Sequence, residues 1–283
     1  MKEFSGKTAF VTGAAQGIGL GICHALGKLG VNLAMADIQA DQLAKAREEF
    51  ANTNIRALAF PLDVSDAGAF ERIAAEAEAE FGKLHILINN AGVLAPVKPV
   101  STLSLDEWNW MIGVNLYGVI NGIRAVLPRI RRHGEEGHVV NTASIGGLQV
   151  HPGRGTGGYS TTKFAVAALT ESLSHELADT NIGVSVLCPA AVDTQIYASP
   201  RLRPARFGGP IAQAHDQRYD TRLAGGLHPD EVGERVVQAM RDGDFFILTH
   251  EEPRAWVEAR NRRIMEGFDA VERYNRARGR PRR

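Results

Sequence analysis

Tyr159 and Lys163 stand four residues apart in GGYSTTKF, residues 157–164, which is one helical turn from phenol to ammonium. A phenol with an ordinary pKa of ~10 is a poor proton acceptor at neutral pH. A cation one turn away favours the phenolate, so the pair has the chemistry of a tuned general acid/base. Ser144, just after the apolar run HVVNTA, offers a hydroxyl that can hold a substrate oxygen or stabilise charge developing on it. Taken singly, each has a plainer explanation: a turn of amphipathic helix, or a serine in the turn that follows a strand. The decision rests on what else accompanies them.

A second constellation lies near the start of the chain. The run T-G-A-A-Q-G-I-G, residues 12–19, connects an apolar strand pattern to a helix, and its glycines Gly13, Gly17 and Gly19 allow a tight turn and close approach to a phosphate. The amides and dipole of the helix start favour such an anion. The spacing G-x-x-x-G-x-G departs from the dinucleotide fingerprint G-x-G-x-x-G. Asp37, 18 residues beyond Gly19, ends the next strand pattern at about the offset where a carboxylate meets the adenosine ribose of NAD. That carboxylate would repel the extra phosphate of NADP, and neither Gln16 nor Ile38 brings a cation to welcome it. NAD is favoured over NADP.

The elements that must position these groups follow a regular rhythm. The runs KTAFVTG, VNLAMAD, IRALAF, LHILIN, HVVNTAS, VSVLCP and FFILT alternate with helical patterns over residues 18–29, 41–50, 66–81, 104–132 and 159–178, and a further helix opens at Pro229. Seven strands interleaved with helices predict an α/β fold with a doubly wound, Rossmann-like parallel sheet covered on both faces. Residues 1–253 read as one NAD-binding catalytic domain. Residues 195–228, long and rich in Gly, Pro and Arg, read as a substrate loop or lid whose aromatic residues Tyr197, Phe207 and Tyr219 would close on an aryl group. Residues 254–283 carry ten Arg against four acidic residues and read as a solvated helix and tail.

Composition narrows the function class. The 283 residues carry 32 basic and 32 acidic side chains, leaving no global pull toward nucleic acid or an anionic membrane. No apolar run reaches the ~20 residues that span a bilayer, and the strand pattern begins too soon for a signal peptide. The two cysteines, Cys23 and Cys188, sit in apolar stretches as core fillers, which suits a reducing cytoplasm. The nine histidines are scattered, with no metal-ligand spacing, so no metal is expected.

Together T-G-x-x-x-G-I-G, N-N-A-G at residues 89–92, Asn115, Ser144 and Y-x-x-x-K resemble the short-chain dehydrogenase/reductase family over residues 5–195. The resemblance implies an oxidoreductase acting on CH–OH donors, with Tyr159 as acid/base, Lys163 lowering its pKa and holding the nicotinamide ribose, Ser144 on the substrate oxygen, and Asn115 holding a water that passes protons outward. It also implies that Asp63 and Val64 face the adenine, that Asn90, Ala91 and Gly92 line the middle of the coenzyme, and that Pro189, Val192 and Thr194 meet its carboxamide. A homotetramer or homodimer packed through the helices at 104–132 and 159–178 is the implied assembly. Two departures stand out: Pro189 is followed by Ala190 where the family often has Gly, and 15 residues separate Ser144 from Tyr159.

Residues 112–123 and 199–208 resemble a bacterial subgroup whose members include Cα-dehydrogenases of lignin-derived β-aryl ethers. A bulky hydrophobic or aryl secondary alcohol is therefore the expected substrate, with the reduction of steroid, cyclic or acyl ketones as the alternative. A non-catalytic NAD-sensing protein on the same fold would be expected to have lost Ser144, Tyr159 or Lys163, and all three are present.

Overall fold

The computed structural model describes residues 1–211 and 225–279. Met1–Thr249 forms one compact unit and His250–Arg283 another. The first is built on seven parallel strands: β1 (Thr8–Thr12), β2 (Asn32–Asp37), β3 (Ala57–Pro61), β4 (Ile86–Asn89), β5 (Gly137–Thr142), β6 (Ile182–Cys188) and β7 (Phe246–Leu248). Their order across the sheet is β3-β2-β1-β4-β5-β6-β7. The chain winds outward from β1 to β3, then crosses back to place β4 on the other side of β1. That reversal opens a crevice beyond the carboxyl ends of β1 and β4, the usual ligand site of open α/β sheets.

The strands bury both faces, and alternate residues enter opposite layers. Ala9, Val11, Ile86, Ile88 and Val140 pack with α1 (Gly17–Gly27), α2 (Ala40–Glu48) and α7 (Pro229–Asp242) through Ile22, Leu26, Leu43, Val236 and Met240. Phe10, Leu87 and Val139 pack on the other side with α3 (Ala67–Phe81), α4 (Leu105–Ile112), α5 (Gly118–His133) and α6 (Gly157–Glu176), through Phe70, Trp110, Val126 and Leu173. Local signals set the helix starts. Asp66 accepts the Ala69 N–H at the head of α3, and Ser104 and Glu107 form a reciprocal capping box at the head of α4.

One helix differs from its sequence pattern. Residues 104–132 read as a single segment, but a π-turn, Gly113–Tyr117, separates α4 from α5. The Asn115 side chain accounts for it: Oδ1 accepts the Val93 N–H at 2.8 Å, and Nδ2 donates to the Val93 carbonyl at 2.9 Å and to Thr162 Oγ1 at 3.0 Å. These bonds pin the helix to the turn after β4 and to α6, and the extra residue absorbs the mismatch. By length and composition alone the stretch Leu105–His133 could cross a membrane, its most apolar window having mean hydropathy 1.2. Of that window 61% is buried inside the protein, the pattern of a core helix.

The second unit is one helix, α8 (Arg254–Ala277), with no buried residue and with Ile264, Phe268 and Val271 exposed along it.

Candidate active site

A cavity of about 650 Å³ lies at the carboxyl ends of the strands. It is bordered by Gly13, Gln16, Gly17, Ile18, Asp37, Ile38, Asp63, Val64, Asn90, Ala91, Gly92, Ser144, Tyr159, Lys163, Pro189, Val192 and Thr194. Gly19 and Asn115 stand behind this lining.

At one end, the turn from β1 into α1 requires glycine for two separate reasons. Gly13 has φ +67°, and a side chain there would start 2.9 Å from the Ala91 Cα. Gly19 faces Gly13 itself, whose carbonyl oxygen lies 2.0 Å from where a Cβ would stand. The turn and the Asn90–Gly92 segment therefore pack backbone on backbone. Thr12 ties them: its hydroxyl accepts the Asn90 and Ala91 N–H groups at 2.9 and 3.1 Å and donates to the Ile88 carbonyl. Sequence reasoning placed Thr12 at the head of the glycine run without giving it a role, and only the proximity of β1 and β4 reveals its task. The start of α1 has no side-chain cap from Gln16, which leaves first-turn amides to meet an anion.

Asp37 is 8% exposed rather than solvated. Its Oδ2 accepts the Ala15 N–H at 3.1 Å and its Oδ1 the Gln39 N–H at 3.0 Å, so it braces the glycine turn as well as bordering the cavity. Burial raises its pKa, and the amide bonds from Gln39 and Ala15 oppose the rise. Asp63, which borders the cavity, also makes bonds within the protein that the sequence did not foresee. Its Oδ1 accepts the Ser65 hydroxyl at 2.6 Å, and its Oδ2 pairs with Arg206 at 2.6 Å.

At the other end, Ser144 follows β5 while Tyr159 and Lys163 project from the first turns of α6. Lys163 is 2% exposed, donates to the Thr142 carbonyl at 2.8 Å, and lies 5.6 Å from the centre of the Tyr159 ring. Burial pushes the Tyr159 phenol up to about 12, while a hydrogen bond with the Ser144 side chain pulls it back. Burial also brings the Lys163 ammonium down to about 8. The direction set by burial is opposite to the lowering that sequence reasoning expects of Lys163.

The loop at 195–228 is described as far as residue 211 and again from residue 225; Tyr219 lies outside the described residues. Ile196, Ser199, Leu202 and Pro204 roof the cavity, and Val93, Trp110 and Val114 complete an apolar wall. The four roof residues fall within the segment read as a lid, though none was named, and Val93, Trp110 and Val114 were not singled out, because no local pattern separates a cavity wall from an ordinary core. Phe207, expected to face an aromatic substrate, packs against the core beside Gly113. Arg203 is 8% exposed with its Nε donating to the Gly209 carbonyl at 2.7 Å, so among the described loop arginines (Arg201, Arg203 and Arg206) only Arg201 borders the cavity.

The histidines also proved less scattered than their spacing. His85, His133 and Glu135 bring possible metal-ligating atoms within 4.8 Å of one another, away from the cavity lining. Those atoms are already engaged: Thr8 N–H donates to His85 Nδ1, Glu135 N–H donates to His133 Nδ1, and Lys7 and Lys83 both donate to the Glu135 carboxylate.

Residues 7–203 match the short chain dehydrogenase family. The chain is a short-chain dehydrogenase/reductase. It is 33% identical over 280 residues to a C alpha-dehydrogenase from Sphingobium sp. strain SYK-6, covering 96% of this chain and 90% of that one. A short chain dehydrogenase/reductase from Burkholderia phymatum, solved in complex with NAD, superposes with TM-score 0.88 at 34% identity, covering 94% of this chain and 97% of the other. The apo form of LigO from Sphingobium sp. strain SYK-6 superposes with TM-score 0.81 at 32% identity, covering 96% and 92%. This dehydrogenase is thus an oxidoreductase acting on the CH–OH group of a small molecule with a nicotinamide coenzyme.

Proposed function

We propose that the enzyme prefers NAD and interconverts a bulky, hydrophobic or aryl secondary alcohol with its ketone. One observation carries the reading: Ser144, Tyr159 and Lys163 meet at one end of a cavity whose other end carries the Asp37 carboxylate and whose wall and roof are apolar. A nicotinamide coenzyme, when bound, supplies the hydride acceptor or donor. In oxidation Tyr159 takes the proton from the alcohol oxygen, and in reduction it returns it. Ser144 donates to the same oxygen and stabilises charge there. Lys163 holds the nicotinamide ribose and, once the site is filled, favours the phenolate. We assign Asn115 the water through which protons leave Lys163, on a turn held rigid by its side-chain bonds to Val93 and Thr162.

The coenzyme's phosphates would rest on Gly13, Gln16, Gly17, Ile18 and Gly19, its adenosine ribose on Asp37 and Ile38, and its adenine on Asp63 and Val64. Asn90, Ala91 and Gly92 would line its middle, with Pro189, Val192 and Thr194 at its carboxamide. Asp37 would accept from ribose hydroxyls and repel a 2′-phosphate, which supports NAD. The apolar surfaces of Val93, Trp110, Ile196 and Leu202, together with the Cα-dehydrogenase relative, support an aryl alcohol. The exposed side chains of Leu105 and Tyr117 on α4 and the π-turn support a homo-oligomer packed there, which light scattering of the purified chain would test.

A panel of secondary alcohols with NAD, followed at the NADH absorbance, tests the reading directly. We expect bulky 1-aryl alcohols to be oxidised with higher kcat/KM than 2-butanol. Equal kcat/KM for the two classes would overturn the substrate assignment, and no turnover with any alcohol or ketone would overturn the catalytic one.

A further inference from the structure

The roof of the cavity is a strap, residues 196–207, fastened at two points. Near its start, buried Ser199 accepts the Leu94 N–H at 2.9 Å behind the Asn90–Gly92 segment. At its far end Arg206 reaches across to the loop after β3. One guanidinium nitrogen, Nη2, lies 2.6 Å from Asp63 Oδ2 and 2.7 Å from Ser65 Oγ. The same guanidinium sits 4.8 Å over the Phe207 ring, and Phe207 in turn abuts Gly113, where a Cβ would lie 3.2 Å from Phe207 Cζ. Between the two fastenings, Leu202 and Pro204 border the cavity.

We propose that Arg206 is a positioning residue that latches this strap to the Asp63 carboxylate and so sets how fast the nicotinamide coenzyme leaves. The proposal rests on the coenzyme reading above, in which Asp63 stands at the adenine end. Ser65 and Arg206 between them engage both oxygens of Asp63, which fixes the orientation of that carboxylate while the strap is down. The pair suits a latch better than a structural tie. Arg206 is 50% exposed and Asp63 19%, and ion pairs in that setting add little to folding stability and separate readily. The strap borders the cavity that the coenzyme would fill, so letting the coenzyme out means lifting part of that strap, and the exposed pair is its weakest fastening. The buried Ser199 contact serves as the hinge end. Arg206 is committed to the adenine end by these bonds, whereas Arg201 borders the cavity.

The test is the rate of NADH release from the full-length chain, read by stopped-flow fluorescence on displacement with excess NAD. We expect release to follow the charge at position 206. Arg206→Lys should stay within about twofold of wild type, Arg206→Gln should be about fivefold faster, and Arg206→Glu, which turns attraction into repulsion, about tenfold or more faster. In an Asp63→Asn background the three variants should release NADH at one rate. A strap merely misfolded by the substitutions would release NADH faster without a charge order, equally with Asp or Asn at position 63, and that result would also overturn the latch. Equal release rates for all variants and wild type overturn the latch, as does a charge order that persists without the Asp63 carboxylate. A wild-type chain that gives no NADH signal overturns the nicotinamide reading and the latch together, whereas tight wild-type binding with unaltered variants overturns the latch alone.

Discussion

The wall that carries Ser144, Tyr159 and Lys163 and the strap that roofs it border one cavity, yet they are held by different means. The wall belongs to β5 and α6, and its parts are joined by buried bonds. Asn89 Nδ2 donates to Asn141 Oδ1 at 2.8 Å and Asn141 Nδ2 donates to Thr170 Oγ1 at 3.1 Å, linking β4, β5 and α6 in one chain of contacts. Lys163 is anchored to β5 through the Thr142 carbonyl. The strap contains only short 3-10 turns, Ile196–Leu202 and Ala205–Phe207, and side chains hold it down. A proton donor must sit within tenths of an ångström of its target, so chemistry is placed on rigid elements. Selection and release need parts that can part, and loops supply those.

The largest expected effect comes from the wall. Tyr159→Phe removes the acid/base hydroxyl while keeping the ring, so kcat should fall about 10²- to 10⁴-fold. NADH affinity, measured by fluorescence titration, should remain within about threefold, since the ring still packs where it did and only a hydroxyl is lost. Retention of more than a tenth of the wild-type kcat would remove Tyr159 from the reaction.

Next comes the opposite end of the cavity. Asp37→Ala with Ile38→Arg should move the NAD/NADP ratio of kcat/KM by about 10- to 100-fold toward NADP, as a charge-assisted bond to the 2′-phosphate replaces a repulsion. Because the Asp37 carboxylate also receives the Ala15 and Gln39 amides, the double variant should lose thermal stability as well. Steady-state kinetics with both coenzymes and a melting curve check the two statements. A wild-type enzyme that uses both coenzymes equally would show that Asp37 does not discriminate.

The contrast between wall and strap also explains what could be read without coordinates. The sheet was legible because seven apolar runs alternate with helical patterns, and both faces of the sheet are buried. The glycines and Y-x-x-x-K were legible because their spacing along one element is also their spacing in space. Three features were not. The π-turn at Asn115 arises from bonds to Val93 and Thr162, residues remote in sequence. The role of Thr12 exists only because β1 and β4 are neighbours. Arg206 meets Asp63 across 143 residues of chain. Composition described that loop as Arg-rich and aromatic, but it could not say that Phe207 turns into the core and that Arg203 is buried.

Acid should weaken the foundation of the wall. His138 lies in β5, and its Nε2–H donates to Ser185 Oγ at 2.9 Å, because the Ser185 hydroxyl hydrogen is given to the Asp244 carbonyl. Among the described residues its buried Nδ1 has no partner, so a second proton there would stand uncompensated. Burial accordingly holds His138 down at about 3 and His85 at about 4. Both folded values lie below the unfolded value of 6.5, so the unfolded chain takes up protons first as pH falls. Their contribution is intact above pH 6.5 and declines below it, by about 1.4 kcal/mol per pH unit for each histidine until its folded pKa is reached. His138→Gln keeps a donor for Ser185 without a titrating group, and it should flatten the decline in Tm between pH 6.5 and 4. An unchanged slope in that variant would show that His138 is not its source.

The smallest expected effect, and the one that separates roof from wall, is at Ser199. Its hydroxyl accepts the Leu94 N–H, and the Leu94 and Ile196 carbonyls lie 3.1 and 2.7 Å away as alternative acceptors for its hydrogen. Ser199→Ala leaves the Leu94 amide unpaired, at a cost of about 1–2 kcal/mol concentrated at the hinge end of the strap. Loosening the strap should hurt substrates in proportion to how much of them the roof covers. For a bulky 1-aryl alcohol kcat/KM should fall about three- to tenfold, mostly in KM, because the lost contact with Ile196 and Leu202 is binding that ground and transition states share. For 2-butanol, which is too small to reach the roof while bound at Ser144 and Tyr159, kcat/KM should change by less than about twofold, the size of a small shift in packing. Equal losses for both alcohols would mean that Ser199 acts through the wall and that the division between a rigid chemical wall and a separable roof is wrong.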